Sequence, residues 1–279
     1  MKIEFTVQPQ EDGLSLSDYL THLHIPRKTK HFLRIQKNVW INQHNEPFHT
    51  IVRSGNRITL DIDETMYPEH KVVPGDASLV DCLYEDEHLI IVNKPIHIKT
   101  HPNQPNECDT MLNHVAQYIK GHPYVVHRLD KETSGCLLFA KNPVILPFLT
   151  RMVEDKELYR IYEAVATGKI QRNQFTLDAP IGRDRHDKRK RCVNYRNGQK
   201  AVTHIKVLAR SQNETRIQCQ LETGRTHQIR VHLASIHHPL KGDPLYGKQS
   251  DRLYLHASQL HLVHPLTKEE IHVQSPTPF

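Results

Sequence analysis

An α+β fold follows from this sequence: a mixed, mainly antiparallel β-sheet domain with peripheral helices, preceded by a small N-terminal α/β domain. Three observations predict it. Short stretches of alternating polar and apolar residues outnumber stretches with helical rhythm. Candidate crossover helices are scarce, which disfavours a doubly wound parallel sheet. A segment with three prolines or glycines and little periodicity, DETMYPEHKVVPGDAS (63–78), separates a basic N-terminal region from the rest. With 279 residues, one large and one small domain are the natural division. The boundaries read as 1–63 for the small domain, 64–78 for a linker and 79–279 for the large domain.

The elements can be justified in order. KIEFTV (2–7) alternates as a strand does. LSLSDYLTHLHI (14–25) has a helical period with Leu16, Leu20 and Leu23 on one face, and Ser15 or Ser17 can cap it. Pro26 interrupts it. RKTKHFLRIQKN (27–38) forms a second helix, with Phe32, Leu33 and Ile35 inward and Arg27, Lys28, Lys30, Arg34 and Lys37 as a basic face. VWIN (39–42) and RITLDI (57–62) read as strands with a turn at Ser54-Gly55-Asn56. LVDCLYEDEHLIIVNKP (79–95) opens the large domain with strand-like runs. DTMLNHVAQYIK (109–120) and PVILPFLTRMVEDK (143–156) are helix candidates. YEAVATG (162–168), AVTHIKVLARS (201–211), ETRIQCQLETG (214–224) and EEIHVQS (269–275) are strands.

Composition narrows the classes. A formal net charge of +6 favours a polyanionic partner modestly, and on charge alone a basic enzyme without nucleic acid is equally good. The five cysteines are scattered without a CxxC, which argues against a disulfide framework or zinc ribbon and fits a reducing cytoplasm. The 22 histidines form no HExxH-type spacing beside further ligands, so no metal site is expected. The opening residues lack the apolar core of a signal peptide, and no run nears the roughly 20 apolar residues that span a bilayer. Cytoplasmic localisation is the resulting expectation.

Four segments carry chemistry. VVHRLDKETSGCLLFAKN (125–142) sets a polar turn between two apolar runs. A solvated hairpin is the usual meaning of such a turn. Here Asp130 is flanked by cations, and such surroundings favour the ionised, oriented carboxylate that a nucleophile or base needs. LETGRTHQIRVHLASIHHPLKGDPLYG (221–247) places Gly224 at a sharp turn before Arg225, followed by Thr226, His227, Gln228, Arg230 and His232. It reads either as a basic surface helix start or as an anion site built on Arg225 and Arg230. ELYRIYEAVATGKI (157–170) carries Tyr162, which alone is more often a core or edge aromatic. RDRHDKRKRCVNYRNGQKA (183–201) is strongly basic; Arg189 and Arg191 fit contacts to an RNA backbone, although most charge runs are only solvated loops.

Taken together, these segments resemble the RluA-type pseudouridine synthases. HRLDKETSG (127–135), YEAVATG (162–168) and TGRTHQIRVHLASIHHPLKGDPLYG (223–247) are similar to that family's signatures. So are NKPIHIKTHP (93–102), LYLHASQLHLVHP (253–265) and the basic stretch before KAVT (200–203), all in the family's order over 79–279. The resemblance implies isomerisation of uridine to pseudouridine in RNA without metal or organic cofactor. By position it makes Asp130 the catalytic aspartate, Tyr162 the residue packing on the target base, and Arg225 the basic partner of the aspartate. Arg128 would fill the space left by the flipped base, and Leu255 would line the pocket. His127 and Arg230 join them as substrate-binding candidates. His97 and His237 stand where the family commonly has glycine. Residues 13–60 are similar to an S4-type RNA-binding module, with Asn38 where glycine is common.

The residue types suit that reaction. The N1–C1′ bond must break and C1′ must join C5, so the nucleotide has to leave its stack at a cost of a few kcal/mol. An arginine can refill the gap, a tyrosine offers a flat face with a polar tip, and one carboxylate can attack sugar or base or take a sugar proton. The expected partner is structured ribosomal or transfer RNA, with no obligatory protein partner. Two rivals remain: a noncatalytic RNA-binding protein on the same fold, and a glycoside hydrolase, which would need a second facing carboxylate.

Overall fold

The computed structural model describes residues 1–63, 72–104 and 106–279. Most of the expected linker therefore lies outside the described residues. The N-terminal part is a four-stranded antiparallel sheet in the order β1-β4-β2-β3, with two helices. Its strands are β1 (Lys2–Thr6), β2 (Val39–Ile41), β3 (His44–Asn45) and β4 (Arg57–Asp61), and its helices are α1 (Leu16–His22) and α2 (Arg27–Ile35). The alternation in β1 buries Ile3 and Phe5. Ser15 caps α1: its Oγ accepts from the Asp18 N–H at 3.1 Å. Leu16, Leu20 and Leu23 are all buried. In α2, Leu33 is buried and Phe32 half-buried, but Ile35 is 62% exposed. Residues two apart on a helix stand about 200° apart, so Leu33 and Ile35 cannot both face inward. The short strand β3 follows a turn in which Asn42 and Gln43 have φ of 49° and 72°, the conformation of a tight two-residue hairpin turn.

The large sheet has ten strands and is mixed, mainly antiparallel, as expected. The strands are β5 (Cys82–Glu85), β6 (Leu89–Lys94), β7 (Tyr124–Val125), β8 (Ser134–Ala140), β9 (Tyr159–Thr167), β10 (Gln174–Asp178), β13 (Val202–Arg210), β14 (Glu214–Leu221), β15 (Leu255–Val263) and β16 (Glu270–Gln274). Their order is β10-β13-β14-β9-β15-β8-β6-β5, with β16 on β15 and β7 on β8. β11 (Ile181–Arg183) and β12 (Arg191–Val193) form a separate hairpin that carries the basic loop. The peripheral helices are α3 (Met111–Ile119), α4 (Leu146–Glu154) and α5 (Gln228–Ser235).

Among the described strands, a parallel pairing joins β15 to β8, with Ala257 opposite Gly135. The strands are so close there that a Cβ on Gly135 would sit 2.2 Å from the Ala257 carbonyl oxygen, and its φ is +109°. Only glycine fits both constraints. The sheet's two faces feed two apolar layers. One includes Leu138, Phe148 and Leu260 and runs on into the small sheet, where Phe5 stacks on Phe148 with ring centroids 6.1 Å apart. The other includes Tyr162, Ala164, Leu255 and Ala257 and is covered by α3 and α5. The second layer is where the chemistry-bearing residues meet.

Candidate active site

Asp130 sits in the turn between β7 and β8, and that turn is braced from below. Thr100 Oγ1 donates to the Leu129 carbonyl at 2.9 Å and accepts from its N–H at 3.0 Å. The fully buried Lys94 donates through Nζ to the carbonyls of Pro95, Ile98 and Lys131. The His97 N–H also reaches the Lys131 carbonyl, at 2.8 Å. The segment 93–102 therefore acts as a bracket for the Asp130 turn. Burial lowers the Lys94 pKa to about 7, although the nearby Asp130 and Glu132 charges oppose the shift.

The guanidinium that meets Asp130 belongs to Arg230. Its Nη1 donates to Asp130 Oδ2 at 3.1 Å, while Nε and Nη2 form a bidentate pair with Asp243, each at 2.8 Å. Arg230 is 1% exposed and Asp243 0%. Burial acts against the Arg230 charge, but the two carboxylates outweigh it and raise its pKa. Burial also opposes the charge on Asp243, yet Arg230 and the N–H groups of Leu245 and Tyr246 hold its pKa below the ordinary value. The Tyr246 ring lies under the guanidinium, 5.3 Å from centroid to carbon.

Arg225, expected as the partner of Asp130, is exposed, and its Nε donates to the Lys200 carbonyl at 3.0 Å. The reason is the start of α5. His227 takes a left-handed backbone, φ 58°, so the chain turns there and the helix carries Arg230 inward while Arg225 stays on the rim. Gly224 does not take a left-handed backbone. Its missing side chain makes room for Arg160, whose Nη1 would lie 3.1 Å from a Cβ.

One cleft brings together Arg128, Asp130, Arg160, Tyr162, Arg225, His227, Arg230 and Leu255. Arg128 is exposed and also borders a second cleft on the other side of Asp130, with Lys99 and His101. Tyr162, on β9, and Leu255, at the start of β15, are 5% and 4% exposed. Burial raises the Tyr162 phenol pKa, with Arg160 opposing and Asp130 reinforcing that shift. His127 does not border the cleft. It is buried in the fold, and its Nε2 accepts from the Leu138 N–H at 3.2 Å. Burial, with Arg160 nearby, lowers its pKa to about 3, so it is neutral.

His227 was named in the sequence without a role. Its Nε2 is 3.8 Å from Asp130 Oδ2 and its Nδ1 is 2.9 Å from the Tyr246 hydroxyl. The Arg191 N–H donates to that hydroxyl at 2.8 Å, which leaves the phenol hydrogen for Nδ1. This pattern assigns the His227 proton to Nε2, facing Asp130. Asp243, Tyr246, Lys94 and Arg160 are site residues that the motifs contained but did not single out.

The basic candidates lie elsewhere. Arg27, Lys28 and Arg34 are exposed on α2, which ends at Ile35, so the exposed Lys37 lies just beyond it and not on its face, while Lys30 is half-buried and donates to Thr21 Oγ1. In the loop between β11 and β12, Arg189 is tied to Asp187 at 2.8 Å, and Arg191, the first residue of β12, donates through Nη1 to the Lys190 carbonyl at 2.9 Å. Among the described residues, His261, Glu270 and His272 bring ligand atoms within 4.8 Å of one another, a grouping that sequence spacing did not reveal. The two imidazoles stack face to face at 3.7 Å, so their lone pairs run side by side instead of converging on one point. All five cysteines are free. Among the described residues no helix is long and apolar enough to cross a membrane.

Comparison with known proteins identifies the family. The family model described as RNA pseudouridylate synthase matches residues 88–235. A model of the N-terminal domain of RluD ribosomal pseudouridine synthase matches residues 3–58. An uncharacterized RNA pseudouridine synthase of Bacillus subtilis, YhcT, is 39% identical over 287 residues, covering 99% of this chain and 94% of that one. Ribosomal large subunit pseudouridine synthase D of Nitrosomonas europaea is 36% identical, covering 99% and 85%. The solved structure of human RNA pseudouridylate synthase domain containing 1 superposes with a TM-score of 0.62 at 27% identity, covering 74% of this chain and 86% of that one. By fold and sequence, this chain belongs to the RNA pseudouridylate synthase family of isomerases.

Proposed function

We propose that this chain converts uridine to pseudouridine in large-subunit ribosomal RNA in the cytoplasm, with Asp130 as the reacting carboxylate. The observation that carries the reading is the Asp130–Arg230 pair in a cleft shared with Tyr162. The ion pair holds one carboxylate oxygen, and Oδ1 has no hydrogen bond among the described residues. It is available to a sugar or base. The uracil would pack on Tyr162 and Leu255, with the nucleotide flipped out of its stack. Exposed Arg128, at the mouth, suits the gap left behind. The ribosomal target is supported by the relatives' names and by the match of residues 3–58 to a ribosomal synthase domain.

A protein that only bound RNA would gain nothing from a carboxylate in a cleft that also carries Arg128, Arg160, Arg225 and Arg230. The test is to map pseudouridines in total RNA from cells with and without the gene, then to complement with Asp130→Asn. Loss of a ribosomal pseudouridine that wild type restores and Asp130→Asn does not is the expected result. Restoration by Asp130→Asn, with deamidation excluded by mass spectrometry, would sink the role of Asp130. A change confined to transfer RNA would move the substrate.

A further inference from the structure

Arg160 is a buried cation without a counter-ion. It is 6% exposed and its Nε is buried with no hydrogen-bond partner. Among the described residues no hydrogen bond or ion pair reaches its side chain. The neighbouring His127 is neutral, with its own Nδ1 unpartnered. Arg230, by contrast, has two carboxylates. A guanidinium left like this is costly unless something pairs with it. The strand pattern points it inward: β9 buries alternate residues, so Arg160 shares a face with Tyr162, and both line the Asp130 cleft. Gly224 gives it its space, as shown above.

We infer that Arg160 is a catalytic residue that donates to a carbonyl oxygen of the flipped uracil and stabilises the negative charge that appears on the base when its glycosidic bond breaks. This rests on the function proposed above. When C1′–N1 breaks, the electron pair stays on N1 and spreads onto O2 and O4. After the base turns, a pair from C5 forms the C1′–C5 bond, C5 loses its proton and N1 gains one, so the isomerisation is balanced. The base is the part of the nucleotide that enters the buried interior. The phosphates stay at the rim, where exposed Arg128 and Arg225 stand. A buried donor is therefore placed for the base oxygen, and a donor aimed at developing charge acts mainly in the transition state.

The test uses the full chain on a ribosomal RNA transcript, comparing Arg160→Gln and Arg160→Lys with wild type. Single-turnover conversion is measured on uridine RNA, consumption of the N1-linked nucleoside on 5-fluorouridine RNA, and RNA affinity by filter binding. Fluorine makes the uracil a better anionic leaving group, so it needs Arg160 less. We expect Arg160→Gln to bind RNA within about threefold of wild type and to lose roughly 10²–10³ in rate on uridine. The loss on 5-fluorouridine should be at least about tenfold smaller, with Arg160→Lys recovering part of the rate. Equal losses on both substrates, an unchanged rate, or a defect in affinity alone would overturn the inference. If Arg160→Gln does not fold, the same substrate ratio for Arg160→Lys decides. An active wild type with an equally active Arg160→Gln sinks this inference alone, whereas an inactive wild type sinks the proposed function first.

Discussion

Arg230 and Asp130 stand 100 residues apart in the chain and 3.1 Å apart in space, and the same guanidinium grips buried Asp243 through two more hydrogen bonds. One cation thus serves two carboxylates of different kinds. Asp243 is sealed and fixes the angle of the guanidinium. Asp130 borders the cleft and receives the remaining N–H.

Removing the shared cation should therefore harm the fold and the reaction together. Arg230→Met leaves Asp243 buried and unpaired, and breaking a buried pair costs about 3–5 kcal/mol. Urea unfolding should register that loss, and pseudouridine formation should collapse. Arg225→Ala should leave stability within about 0.5 kcal/mol of wild type, because its exposed side chain donates only to a carbonyl at the rim. Its effect should fall on RNA affinity. If Arg225→Ala lost as much rate as Arg230→Met at saturating RNA, the assignment of partners would be reversed.

Gly135→Ala tests the seam between β8 and β15. The added methyl would meet the Ala257 carbonyl oxygen at 2.2 Å, and neither backbone can yield without breaking the parallel pairing beside the Asp130 turn. A loss of more than about 3 kcal/mol is expected, in the range of severe overpacking plus strain. A melting temperature within a few degrees of wild type would mean that the strands can part.

Much of this was legible in the sequence, for physical reasons. The turn-bounded stretch 162–168 predicted the later part of β9, which begins earlier, at Tyr159, and the leucine period and Ser15 predicted α1. Asp130, Tyr162 and Leu255 do converge on one cleft. The choice between Arg225 and Arg230 was not legible, because it depends on where α5 starts, and a left-handed residue at His227 sets that. Arg160 fell before the expected strand of 162–168, and only the start of β9 at Tyr159 gives it the buried face it shares with Tyr162. His127 belongs to the same motif as Asp130, yet it points into the core. His97 and His237, which the family resemblance set at glycine positions, both have a left-handed backbone, with φ of 68° and 64°. The turn is thus retained without the glycine. At Asn38 the corresponding positive φ falls one residue earlier, on Lys37 at 55°.

His127 also makes stability depend on acid. Its folded pKa is about 3 against an ordinary 6.5, so the unfolded chain takes up a proton that the folded chain refuses. Its contribution is complete above about pH 6.5 and is lost as pH falls from there toward 3. Each pH unit in that window costs about 1.4 kcal/mol. His127→Gln, whose amide oxygen can still accept from the Leu138 N–H, should show a shallower fall between pH 6.5 and 4.5 by that amount per unit, measured by urea unfolding at fixed pH. Parallel pH profiles for the two proteins would remove His127 as the cause.

The last prediction concerns α2. Arg27, Lys28 and Arg34 are exposed there, with Lys37 just beyond its end, whereas the rival basic loop is partly self-neutralised by the Arg189–Asp187 pair. A cation already engaged has less to offer a phosphate, so α2 is the better candidate for RNA-backbone contact. Each phosphate contact contributes about 0.7–0.9 to the slope of log affinity against log salt. Replacing Arg27, Lys28 and Arg34 together by Gln should weaken binding to a ribosomal RNA transcript and lower that slope by about 2–3. The replaced side chains lie on the surface, so the melting temperature should hold. A weaker affinity with an unchanged slope would mean that the helix does not meet the backbone, and the electrostatic contact would then pass to the 183–191 hairpin.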